Sequence, residues 1–537
     1  MEMHGGRLAV EVLRSHGVDV VFTLSGGHLF VLYDGAVQAG LRLVDTRHEQ
    51  TATFAAEGWA KVTRRLGCAA LTAGPGVTNG VSALTAARMN GTPMVVLGGR
   101  APQGRWGAGS LQELDHVPIV APVVKSATTA TSPTAIVSDV HAACVAARTP
   151  HRGPAFVDIP LDAFGPADVE LPVPDETEMR GEAPDAGDVQ RVAHLVGRAR
   201  RPVLVAGGDV YWAHAEDALR AFAESARVPV FVNGMGRGTL PADHDLAFSR
   251  ARATALKEAD LVLVAGTPLD FRLGFGRFGD AQVVHLCDAP SELAAHAELA
   301  ASAAGDLREM LTRLADAGAP PGAHDDWIAR LRADEESRRA EESPALGDER
   351  TPIRPTRVYG ELLERLDRDA IVIGDGGDFV SYAGRLVQSY VPGTFLDPGP
   401  YGCLGMGPGY ALAAALAHPE RQVVLLLGDG AAGFALGDFE ALVRHGVDVV
   451  AVVGNNGIWG LEKHPMRMLF GYDVVADLRP AVRYDEVVAA FGGHGELVTD
   501  PGEIGPALDR AFSTRGVSLV NVITDPEDAY PRSSNLG

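Results

Sequence analysis

The sequence predicts an α/β protein of three doubly wound parallel-sheet domains, and three observations carry that prediction. The chain has 537 residues, about three domains at roughly 150 residues each. Short apolar runs rich in Val, Ile and Leu recur between helical stretches; strands apolar on both faces belong to parallel sheets covered on both sides. Two stretches break the pattern, residues 169–187 and 341–356, both acidic, Pro-rich and aperiodic, and they read as linkers. The expected units are therefore 1–170, 186–320 and 350–537.

Taken in order, the first unit offers DVVFTL, CAALTAG, MVVLGG and AFVDIP as strands. The second offers PVLVAGG, PVFVNG, LVLVAG and VVHLCD, and the third AIVIGDGG, QVVLLLGDG, DVVAVVGNN and SLVNVIT. Between the last two units, Asp325 to Glu342 is densely charged with few apolar positions, which predicts a surface helix.

Composition narrows the function classes. With 46% hydrophobic and 22% charged residues the chain is neither disordered nor fibrous. Its 69 acidic residues exceed the 47 basic ones, and the net charge of −22 repels nucleic acid and anionic membranes. Cys68, Cys144, Cys287 and Cys403 lie far apart without metal-site spacing, so free thiols and a reducing compartment are expected. The N-terminus lacks the apolar core of a signal peptide, and no apolar run approaches the roughly 20 residues of a bilayer span. A cytoplasmic protein is expected.

The sharpest motif is QVVLLLGDG, ending at Gly430 and followed after 24 residues by Asn455 and Asn456. Both halves fall at the ends of apolar strands, where open α/β sheets bind ligands. Asp429 offers a carboxylate and Asn456 an amide oxygen, hard ligands that suit Mg²⁺ and leave positions for phosphate oxygens. Gly428 and Gly430 allow close backbone approach, and a helix expected to begin near Ala432 would turn its free N–H groups to the anion. A second constellation, DTRHEQTATFAAEGWAK, puts Glu49 near the first turn of a helix.

GDG followed by NN at this distance resembles the fingerprint of thiamine diphosphate enzymes. The resemblance implies Asp429, Asn456 and the backbone carbonyl of Ile458 as metal ligands. It implies Glu49 as the carboxyl group that exchanges a proton with the cofactor's aminopyrimidine. GDGGDF (374–379) resembles the loop over the diphosphate, with Gly376, Gly377 and Asp378 as contacts, joined by Gly428, Gly430, Ala431 and Ala432. In YGCLGMGPGY (401–410), Leu404 stands where a bulky residue props the cofactor and the carbonyl of Gly402 would accept from its amino group. TAGPGVTNG (72–80) is also similar to a family segment. The likeness runs along nearly the whole chain as pyrimidine-binding, central and diphosphate-binding domains. It implies a homodimer at least, with a homotetramer expected.

Within that family the chain is most similar to 2-hydroxyacyl-CoA lyases of the acetolactate-synthase-like type, through SGGHLF, VDTRHE, LTAGPGVTN, GSLQELD, GTPLDFRLGFGR, GDGGDFV and LDPGPYGCLGMGPGYAL. The expectation is a lyase that reversibly cleaves a 2-hydroxyacyl-CoA thioester to an aldehyde or ketone and formyl-CoA. The alternatives are an acetolactate synthase or a benzaldehyde-lyase-like carboligase acting on 2-ketoacids or 2-hydroxyketones, and, from another class, a catalytically silent regulatory paralogue. His28 and Gln112 are candidate substrate contacts shared with benzaldehyde lyase, and Glu462 is a further catalytic candidate, set against a solvated pair with Lys463. Trp459 and Met466 are candidates to line an acyl pocket. Arg152, Arg272 and Asp288 match nucleotide-contacting positions of the central domain, implying ADP or, as the lesser expectation, FAD; no GxGxxG opens a helix there.

Overall fold

In a computed structural model, which describes residues 3–318 and 323–531, the chain forms three α/β units, each a parallel sheet flanked by helices. The first holds β2 (Val20–Thr23), β3 (Arg42–Asp45), β4 (Gly67–Leu71), β5 (Met94–Arg100), β6 (Ala127–Thr129) and β7 (Pro154–Pro160), in sheet order β3-β2-β4-β5-β7-β6. A short antiparallel pair, β1 (Met3–His4) with β8 (Pro166–Ala167), ties its beginning to its end. The second holds β9 (Pro202–Ala206), β10 (Val230–Val232), β11 (Leu261–Ala265), β12 (Gln282–Cys287) and β13 (Ala301–Ala304), ordered β10-β9-β11-β12-β13. The third holds β14 (Ile371–Asp375), β15 (Phe395–Leu396), β16 (Val423–Gly428), β17 (Val449–Asn455), β18 (His494–Val498) and β19 (Val517–Ile523), ordered β15-β14-β16-β17-β19-β18.

Strands such as VVLLLG and LVLVA are buried along almost every position because helices cover both faces, which is why they read as continuous apolar runs. The charged stretch near residue 330 is a helix, Asp325–Leu346, so residues 341–346, expected in a linker, are helical instead. Trp327 and Leu331 anchor the first half of that helix in the central domain's core and Leu346 packs its end against the third domain's, so a few apolar anchors hold it where composition suggested coil. Of the C-terminal segment 530–537, residues 532–537 lie outside the described residues.

The first and third units share one apolar core, in which Phe22 and Phe54 join Tyr410 and Leu425. The Glu49–Thr63 helix crosses the Gly407–Ala417 helix closely: a Cβ on Gly409 would stand 2.7 Å from the Thr51 carbonyl oxygen, and one on Gly58 2.9 Å from the Tyr410 Cα. Inside this contact Lys61 Nζ donates to Tyr410 Oη at 2.7 Å and pairs with Glu57 at 3.0 Å. Among the described residues no helix is long and apolar enough to cross a membrane.

Candidate active site

The order of the third sheet reverses at β14, whose neighbours β15 and β16 lie on opposite sides, and a crevice opens beyond the strand ends at such a point. Gly376 and Gly377 follow β14, Asp429 follows β16, and Asn455 closes β17. Gly376, Gly377 and Asp429 line a cavity of about 430 Å³ that also takes in Asp378, Gly402, Leu404, Gly428, Gly430, Ala431, Asn456, Ile458, Trp459 and Glu462, while Asn455 is buried behind it, its amide donating to Asn521. The structure thus brings together nearly every residue the fingerprint singled out in this domain; Ala432, the last residue of the one-turn helix Asp429–Ala432, stands just behind. That turn starts at Asp429, three residues before the expected start at Ala432, because the chain bends into it directly from the strand end at Gly428.

The donor set fits a hard cation beside a diphosphate. Asp429 Oδ1 accepts from the Gly430 N–H at 2.9 Å and Oδ2 from the Gly457 N–H at 2.7 Å, which fixes the carboxylate at the cavity wall. Burial pushes its pKa up to about 6, so its charge is poorly compensated by the chain alone and suited to a bound cation. Asn456 Oδ1 accepts from the Ile458 N–H at 3.2 Å, bringing the amide oxygen next to that backbone. The glycines are needed for space: a Cβ on Gly430 would meet the Trp459 ring at 2.4 Å, and Gly376 has φ +142°. Asp378 opens the Asp378–Leu386 helix and accepts from the Tyr530 N–H at 2.8 Å, so the C-terminal segment is anchored at this site. Glu462 is exposed at the cavity, and its supposed partner Lys463 pairs instead with Asp473 and Asp477. Met466 does not line the cavity; its sulfur accepts from the Val474 N–H at 3.2 Å.

Among the described residues, none of the first domain lines this cavity. Glu49 is the first residue of its helix and buried; its Oε2 accepts from Asn79 Nδ2 at 3.0 Å, and the turn at Gly76 packs against it. The next residue, Gln50, reaches the Leu404 carbonyl at 3.4 Å, while Glu49 faces its own domain's 72–80 turn.

The first sheet reverses between β2 and β4, and His28, Thr72 and Gly74 sit at those strand ends. His28 is buried, 3.3 Å from Thr72 Oγ1, and burial lowers its pKa. Gln112 has φ +58°, a conformation rare for a side-chain-bearing residue, and a Cβ on Gly74 would stand 3.0 Å from its own Cβ. Sequence reasoning missed what holds this pair of loops. His116 Nε2 accepts from the Gly74 N–H at 2.8 Å, its Nδ1 lies 3.1 Å from Asp158, and Asp158 accepts from Arg100 at 2.6 Å, with His116 and Asp158 fully buried. The partners come from separate strands, so no local spacing marks them.

The three nucleotide candidates are not gathered into one cluster. Asp288, at the end of β12, lies 3.9 Å from Arg152 and 3.1 Å from His151, with Asp209 also 3.6 Å from His151. Burial works against a charged His151, but Asp209 and Asp288 outweigh it and raise its pKa to about 9. Arg272 instead folds back on Asp270 at 2.7 Å, because the Phe271–Gly276 turn brings the two together locally.

The chain matches the thiamine pyrophosphate enzyme N-terminal TPP binding domain over residues 3–119, the central domain over 189–314 and the C-terminal TPP binding domain over 375–522. It belongs to the thiamine pyrophosphate enzyme family. It is 56% identical over 538 residues, 99% of this chain and 98% of the relative, to the probable acetolactate synthase of Mycobacterium bovis. The same figures, 56% over 99% of this chain and 98% of the relative, hold for acetolactate synthase large subunit IlvG of Mycobacterium tuberculosis. To 2-hydroxyacyl-CoA lyase 2 of Danio rerio it is 33% identical, over 92% of this chain and 86% of the relative.

Proposed function

We propose that this chain is a thiamine diphosphate and Mg²⁺ dependent carboligase of the acetolactate synthase type, joining two 2-ketoacids with loss of CO₂ from the first. The observation that carries this reading is full-length identity of 56% to proteins named acetolactate synthase, against 32 to 34% for five of the six relatives named 2-hydroxyacyl-CoA lyase 2 and 30% for the sixth. It displaces the thioester lyase expected from the sequence motifs to second place.

Bound, thiamine diphosphate supplies a carbon nucleophile and an electron sink for the bond being broken. The chain's part is placement and proton control. Asp429, the Asn456 amide oxygen and the Ile458 carbonyl would hold Mg²⁺. Gly376, Gly377, Asp378, Gly428, Gly430, Ala431 and Ala432 would close around the diphosphate, with Gly402 and Leu404 along the rings. Glu49 would come from a second copy of the chain, since its own copy's cavity is lined without it, and its carboxyl would hold and return a proton at the aminopyrimidine. This makes a homodimer the smallest working unit. His28, at the strand ends beside the Gly74 turn, and Gln112, packed on that turn from the loop after β5, would face the substrate, and Glu462 would stand at the rim. Arg152 and Asp288 remain the proposed pair for an adenine nucleotide, ADP or FAD.

The second reading, cleavage of a 2-hydroxyacyl-CoA to formyl-CoA, is favoured by the buried His28: a neutral imidazole can take the proton of a substrate hydroxyl. Supplying purified protein with cofactor and Mg²⁺, and following pyruvate and a 2-hydroxyacyl-CoA in parallel, separates the two. Acetolactate without formyl-CoA is expected; formyl-CoA without acetolactate would reverse the choice.

A further inference from the structure

We propose a second ligand site, for a phosphorylated small molecule with an apolar body, in the cavity between the edge of the central sheet and the third domain. The cavity has a volume of about 540 Å³, the size of sites that enclose small organic ligands. Arg237, Arg250 and Arg252 from the central domain, Arg338 and Arg339 from the Asp325–Leu346 helix and Arg385 from the third domain all line it, and among the described residues no carboxylate does. Its apolar wall is built by edge strand β10 and by Phe248 and Leu256.

Charge is out of balance there. Arg250 and Arg385 share Glu342, at 3.1 and 2.5 Å, Arg338 has Asp334 at 2.8 Å, and Arg339 has Glu335 at 3.1 Å. Arg252 donates at 2.7 Å to a neutral amide, Asn233 Oδ1. Arg237 donates to the carbonyls of Gly384, at 2.7 Å, and Val387, while its Nε is buried without a partner. Within ion-pair distance six guanidinium groups thus share three carboxylates, with Asp397 a further charge near Arg237, in a protein whose net charge is −22. Burial, together with the nearby charge of Arg272, lowers Arg252 to about 10, consistent with a cation lacking its counter-ion.

Convergent guanidinium forks match the several oxygens of a phosphate, and an incoming anion would offset the cost of two partly buried cations that, among the described residues, have no carboxylate in ion-pair contact. The apolar wall gives such a ligand's body a surface to cover. The site is not the one considered for ADP or FAD: it flanks edge strand β10, whereas Arg152 and Asp288 meet at the end of β12. It stands independently of which ketoacid or thioester the enzyme uses.

The test is a calorimetric titration of the dimer already saturated with thiamine diphosphate and Mg²⁺, using phenyl phosphate, inorganic phosphate and benzyl alcohol as probes. Phenyl phosphate is expected to bind, at least about tenfold more tightly than inorganic phosphate, with no heat from benzyl alcohol. Arg252→Gln and the more exposed Arg385→Gln should each weaken it about tenfold or more, while Arg152→Gln leaves it unchanged. The same melting temperature and cofactor content in each unliganded variant would show that the fold is kept. Absence of binding, equal affinity for inorganic phosphate, or binding that persists in both Arg252→Gln and Arg385→Gln would overturn the proposal.

Discussion

Glu49 and Asp429 sit in different domains and are proposed for different jobs, so their losses should be separable. Glu49→Gln should keep cofactor and Mg²⁺ but lower turnover at least about 100-fold, with exchange of the cofactor's C2 proton slowed alongside when followed by NMR. Asp429→Ala removes the carboxylate that the Gly430 and Gly457 N–H groups fix; Mg²⁺-dependent cofactor retention, measured by calorimetry, should disappear. Both residues were legible in the sequence because each lies in a compact motif at a strand end. His116 was not, since its partners Gly74 and Asp158 each lie 42 residues away in the chain. His116→Ala would leave the buried Gly74 N–H unpaired, at a cost of about 1–3 kcal/mol, and leave Asp158 with Arg100 as its remaining charged partner. A lower melting temperature, with a larger fall in turnover than in cofactor affinity, is the expected result.

Strands were the most legible elements, because runs such as QVVLLLG are apolar throughout and end in glycine. The Asp325–Leu346 helix shows the converse: charge hid how far it continued, with Trp327 and Leu331 anchoring its first half in one core and Leu346 packing its end against another. The crossing of the Glu49–Thr63 and Gly407–Ala417 helices was invisible, since it joins segments some 350 residues apart through glycines that read as turn residues. At its centre Lys61 and Glu57 are both buried, with Glu57 also accepting from Asn90 at 2.8 Å. Removing one partner leaves a buried charge, so Lys61→Met should cost about 3–5 kcal/mol in denaturant unfolding. The double change Lys61→Met with Glu57→Gln should recover part of that loss.

For the molecule as a whole, acid sensitivity has an identifiable contributor. Burial, with His141 and Arg148 nearby, pushes His16 down from 6.5 to about 4. A base whose folded pKa is depressed stays neutral in the fold while the unfolded chain protonates. Its stabilising effect is therefore complete above 6.5 and lost as pH falls from there through about 4. The loss is on the order of 3 kcal/mol, and His16→Gln should flatten the fall in melting temperature across that window. Assembly is the larger question, since a cavity built wholly without the first domain needs its acid from elsewhere, and no pattern along one chain states which copy supplies it. Co-expressing Glu49→Gln with Asp429→Ala addresses this directly. If the site forms between copies, each mixed dimer holds one site with both residues intact, and random pairing restores roughly a quarter of wild-type turnover. Turnover no higher than that of either variant alone would contradict a site shared between two copies.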